Sequence, residues 1–124
     1  MYLPDTNIFI QGLHGEEPED SFLRHAILRN EVSISVIAIA EFYAKATLLE
    51  TSVFDQFVTS LPILSIDQEV AKIASVYRKE FLKKTRRAVL LDCFLAAQAK
   101  LHRLTLVTNN RADFPMKDIQ ITTP

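Results

Sequence analysis

Residues 88–107 read AVLLDCFLAAQAKLHRLTLV, an apolar helical run passing within two residues into a short β-branched strand. The helix is predicted over 88–102 and the strand over 104–107. Apolar residues fill every face of that helix, which marks it as central and buried. The strand is short and largely apolar. Moving outward, the same alternation recurs. Further strands are predicted at 2–3, 32–35, 63–65 and 119–122. Helices are predicted near Asn7 and over 21–29, 36–49 and 69–84, with Ser35 and Asp67 placed to cap the last two. Strands separated by long helices require right-handed crossovers and a parallel sheet. The expected class is α/β, a three-layer α/β/α sandwich around a mainly parallel sheet.

The chain has 124 residues, 48% hydrophobic and 23% charged, with a net charge of −1. That length predicts one domain over 1–124. The near-neutral charge excludes a globally basic nucleic-acid binder, so any such contact must be local. Two glycines, Gly12 and Gly15, leave no Gly-rich phosphate loop. The one cysteine, Cys93, excludes an internal disulfide and a multi-cysteine metal site, and reads as a small buried thiol. His14, His25 and His102 stand apart, without zinc-site spacing. There is no signal-peptide pattern and no stretch long enough to span a membrane. A cytoplasmic protein without membrane contact is expected.

Four acids stand out. Asp92 interrupts the apolar helix, where an unpaired carboxylate costs several kcal/mol or stays protonated. Three apolar helical residues before it argue against a cap. Glu41 is the sole charge in residues 36–44, and is either an ion-pair partner of Lys45 at i,i+4 or a site residue. Asp5 follows the first strand, as an N-cap or a site residue. Asp113 follows the strand 104–107, as a solvated turn residue or a site residue. Jointly, all four fall after a strand or near the start of a helix, and a parallel sheet gathers such positions at its carboxyl edge. Clustered carboxylates need a counter-charge, and an all-oxygen set selects a hard cation, Mg²⁺ or Mn²⁺. Such a centre commonly serves phosphoryl chemistry. A basic run, Arg78, Lys79, Lys83, Lys84, Arg86 and Arg87, precedes the Asp92 helix. It is either a solvated helix end or a phosphate contact.

In this order and context the chain resembles the PIN-domain ribonucleases, and among them the VapC-type toxins of toxin–antitoxin pairs. The resemblance rests on Asp5-Thr6-Asn7 after the first strand, on the segment from Ser35 to Glu41-Phe42, on Asp92-Cys93-Phe94-Leu95-Ala96-Ala97, and on Thr108-Asn109-Asn110-Arg111-Ala112-Asp113-Phe114. It implies a Mg²⁺- or Mn²⁺-dependent endoribonuclease acting on RNA, a homodimer, and a cognate antitoxin. It implies Asp5, Glu41, Asp92 and Asp113 as metal ligands and catalytic residues, Thr6 and Asn7 as supports of Asp5, and Thr108 and Asn110 as organisers of the site. It leaves Lys83, Lys84, Arg86 and Arg87 as the candidate RNA contacts. Asn109 and Asn110 stand where many PIN domains carry a further acid, which puts a second metal ion in doubt. The competing reading is a non-catalytic PIN-like or receiver-like module that binds a cation and docks to a partner.

Overall fold

A computed structural model describes residues 1–82 and 89–124. Strand β1 (Tyr2–Pro4) enters helix α1 (Thr6–Leu13), then α2 (Glu19–Leu28). Strand β2 (Ile34–Ser35) is followed by α3 (Val36–Lys45) and α4 (Leu48–Val58). After β3 (Ile63–Leu64) come α5 (Gln68–Leu82) and α6 (Leu90–His102). Then follow β4 (Thr105–Val107), a 3-10 turn (Arg111–Asp113) and β5 (Ile121–Thr122).

Every strand pairing among the described residues is parallel. Leu3 lies opposite Leu106, Leu106 opposite Ile121, and Ile34 opposite Ile63. A single parallel bridge between Tyr2 and Val32 sets β2 beside β1. The strands therefore run in the order β3-β2-β1-β4-β5. Adjacent residues of β4 face opposite layers, as the two-residue period of a strand dictates. Leu106 packs among Val70, Ala74, Cys93 and Ala96 of α5 and α6. Val107 packs among Ile8, Phe9, Phe42 and Phe54 of α1, α3 and α4. Helices on both faces complete the α/β/α sandwich.

Most element boundaries shift by one or two residues from the sequence expectation, and three differences have a visible physical basis. The helix expected over 36–49 is two helices. The chain turns extended at Ala46, and Thr47 opens α4 with a reciprocal capping box. Its hydroxyl accepts from the Glu50 N–H at 3.2 Å, while the Glu50 carboxylate accepts from the Thr47 N–H at 3.4 Å. Stacked rings of Phe42 and Phe54, 3.9 Å between centroids, hold the two helices together. Helix α6 starts at Leu90, after an extended Val89, and position 88 lies outside the described residues. The strand expected over 32–35 shortens to two residues plus the bridge at Val32. Ser35 and Asp67 do cap, accepting from the N–H groups of Ile37 and Val70. Cys93 is a buried free thiol. Among the described residues, no helix is long and apolar enough to cross a membrane.

Candidate active site

The four acids arrive by four routes. Asp5 leaves β1 and caps α1, its Oδ1 accepting from the Ile8 N–H at 3.2 Å. It is thus both the N-cap and a member of the cluster. Glu41 sits in the second turn of α3. Asp92 lies in the first turn of α6, not in its interior. The helix's free N–H groups and dipole favour a carboxylate there. Asp113 ends the 3-10 turn that follows β4. All four line one cavity of about 80 Å³, walled by Leu91, Leu95 and Phe114. The convergence follows from topology, since β1, β2 and β4 are parallel and release their chains at the same edge. A larger apolar groove of about 540 Å³ lies among Leu13, Leu23, Ile27 and Phe57, but it gathers no comparable set of titratable groups.

Hydrogen bonds fix the orientation of the acids. The Thr6 hydroxyl donates to Glu41 Oε1 at 2.8 Å. Thr6 therefore steadies Glu41, whereas support of Asp5 was expected. Asp5 is held by the Thr108 hydroxyl, which donates to its Oδ2, and by the backbone N–H groups of Ile8 and Asn7. Thr108 is fully buried, and its hydroxyl also accepts from the Asn110 N–H at 3.0 Å. Asn7 and Asn110 line the cavity from its exposed rim. Asn109 turns away from it. Its amide donates to Gln11 at 3.2 Å and to the buried Glu19 at 2.9 Å, tying the loop after β4 to α1 and α2.

The electrostatics are those of crowded anions. Burial, then the charges of Asp113, Glu41 and Asp5, push Asp92 from 3.8 to about 6. Burial also raises Asp5, against the hydrogen bonds it accepts. The ion pair between Glu41 and Lys45 does not form among the described residues. Lys45 instead lines the same cavity. It was legible only as a pairing partner, although its i,i+4 spacing from Glu41 places both on one helix face. Lys83, Lys84, Arg86 and Arg87 lie outside the described residues.

The donor set suits a hard divalent cation in chemistry: carboxylate oxygens, mutually repelling, in a cavity with room for about two or three waters. Among the described residues, no group of three His, Cys, Asp or Glu side chains is arranged to hold an ion by itself. Mg²⁺ ordinarily takes one or two carboxylates directly and keeps several waters, so a hydrated ion fits these residues.

The profile of the PIN domain family matches residues 2–119. A toxin–antitoxin complex from Klebsiella pneumoniae is similar at 28% identity and a TM-score of 0.83, over 100% of this chain and 98% of that one. FitAcB from Neisseria gonorrhoeae is similar at 27% identity and a TM-score of 0.80, over 98% of this chain and 96% of that one. VapBC2 from Rickettsia felis, bound to a DNA fragment from its promoter, shares the fold at 24% identity and a TM-score of 0.84, over 99% and 98%. No match was found among the curated proteins.

Proposed function

The chain belongs to the PIN domain family, and on that premise we propose that it is a metal-dependent endoribonuclease, the toxin of a toxin–antitoxin pair. Its 124 residues act as one nuclease domain in the cytoplasm. The observation that carries this reading is the convergence of Asp5, Glu41, Asp92 and Asp113 on one cavity at the carboxyl edge of the sheet.

When bound, Mg²⁺ or Mn²⁺ supplies Lewis-acid stabilisation of a phosphoryl oxygen and acidifies a coordinated water. The chain's own residues do the rest. Asp5, Glu41, Asp92 and Asp113 would hold the cation, directly or through its waters. Thr6 and Thr108 aim two of those carboxylates before any ligand arrives. Burial, and after it the neighbouring carboxylates, hold Asp92 at about 6, so a bound cation would favour its ionised form by offsetting those charges. Asn7 and Asn110 offer neutral hydrogen-bonding groups at the rim. Lys83, Lys84, Arg86 and Arg87 contact the RNA backbone. The described residues that line the cavity include no serine or cysteine, and water is the attacking group in this reading.

A cognate antitoxin and a second copy of the chain are the proposed protein partners. The likeness to a toxin–antitoxin complex supports the first. Exposed apolar residues such as Leu28, Leu48 and Leu49 offer surface for such contacts. The test is cleavage of single-stranded RNA by the purified chain in Mn²⁺, in chelator, and in Mn²⁺ with Glu41→Gln. Cleavage in the first condition alone supports the reading. Mn²⁺ binding without cleavage would favour the non-catalytic docking module.

A further inference from the structure

We propose that Lys45 is a catalytic residue of this chain, its Nζ contacting a non-bridging oxygen of the RNA phosphate under attack. The inference rests on the endoribonuclease reading and assigns one more group to that site.

Lys45 is the last residue of α3, one turn beyond Glu41. Among the described residues that line the carboxylate cavity it is the one cation. Glu41 takes its hydrogen bond from Thr6, and the ion pairs among the described residues do not include Lys45. The ammonium is therefore not consumed by the neighbour that helical spacing offers it. The charge balance gives it a task. Four carboxylates share the cavity, and one divalent ion offsets half of their formal charge. A phosphodiester brings a further negative charge, and more develops on its oxygens as water attacks. Neutral Asn7 and Asn110 cannot balance that charge. An exposed ammonium on a flexible stem at the cavity wall can, because it stays hydrated until substrate arrives and then exchanges water for a phosphoryl oxygen.

The test compares wild type with Lys45→Gln and Lys45→Arg in two measurements, each with saturating Mn²⁺. One is single-turnover cleavage of single-stranded RNA. The other is the rise in melting temperature caused by Mn²⁺ without RNA. Lys45→Gln is expected to slow cleavage by roughly 10- to 100-fold, less than the roughly 100- to 1,000-fold of losing a preorganised oxyanion donor, because this ammonium stands on a flexible stem. Lys45→Arg is expected to recover most of that loss, since it keeps the charge. The Mn²⁺-induced stabilisation should be the same in all three proteins. Wild-type cleavage with undiminished cleavage by Lys45→Gln would overturn the assignment and leave the nuclease reading standing. Loss of cleavage together with loss of the Mn²⁺ shift would also overturn it, placing Lys45 with the cation and not with phosphate. A wild type that binds Mn²⁺ but cleaves no RNA would overturn the nuclease reading and this assignment with it.

Discussion

The Thr6 hydroxyl donates to Glu41 Oε1 at 2.8 Å, joining the start of α1 to the second turn of α3 across 35 positions of sequence. Thr6 is buried, so the contact sits at the base of the cavity, not on its rim. It fixes one carboxylate oxygen, and the ion pairs among the described residues do not include Lys45.

Thr6→Val keeps the shape and removes the donor. Stability should fall by about 1 kcal/mol, the usual worth of one such hydrogen bond. Cleavage should fall by roughly 10- to 100-fold, as when an outer partner of a metal ligand is lost. Rates measured at matched fractions of folded protein check this. An unchanged rate would make the contact purely structural.

Asp5→Asn, Glu41→Gln, Asp92→Asn and Asp113→Asn should each cost more than about 100-fold in Mn²⁺-dependent cleavage, exceeding an outer-partner loss. Far-UV circular dichroism should stay that of the wild type. Near wild-type rates in three of the four would dissolve the shared site.

Asp92 gives the metal-free chain a pH signature. Its carboxyl titrates at about 6 when folded, against an ordinary value of 3.8. Between those values the folded state holds more protons than the unfolded state. The group's contribution to stability is therefore full below about pH 4, declines as pH rises, and is gone above about 6. Asp5 is raised in the same direction. Other carboxyls, such as Glu50 and Asp118, are lowered and act oppositely. The difference between wild type and Asp92→Asn isolates the Asp92 part. In chelator, the melting temperature of Asp92→Asn relative to wild type should rise as pH goes from 4 to 7. A constant difference would mean that Asp92 is not perturbed.

The capping box of α4 is a test of fold without function. Thr47→Ala removes a side chain that accepts from the Glu50 N–H. The cost should be about 1 kcal/mol, or roughly 3–5 °C in melting temperature. RNA cleavage below the transition should be unchanged. A loss of cleavage would show that α3 and its Glu41 depend on that helix entry.

Much of this architecture was legible in the chain because burial on both faces leaves a plain mark. Leu104–Val107 and its helix read as apolar runs, and their alternation with other such runs implies a parallel sheet. The edge that collects Asp5, Glu41, Asp92 and Asp113 follows from that sheet. The errors were local or long-range in identifiable ways. Thr47 and Glu50 carry the three-residue spacing of a capping box, but apolar Ala44, Ala46, Leu48 and Leu49 blur the break. Val89, Leu90 and Leu91 favour a helix by composition, yet the helix begins only at Leu90, so Asp92 falls in its first turn. The partner of Glu41 was not legible at all. Lys45 is close in sequence, whereas Thr6 becomes a neighbour only once β1 and β2 are placed side by side.

The central claim is that the four carboxylates form one divalent-cation site whose charges repel until a cation arrives. Thermal unfolding of wild type and Asp92→Asn, in chelator and in millimolar Mn²⁺ at constant ionic strength and pH 7, tests it most directly. In chelator, Asp92→Asn should melt at or above the wild-type temperature, because removing one charge relieves the crowding. Mn²⁺ should raise the melting temperature of the wild type by mass action, and that of the mutant much less. A mutant that melts well below wild type in chelator, with no Mn²⁺ shift in either protein, would contradict the account and make Asp92 a structural residue.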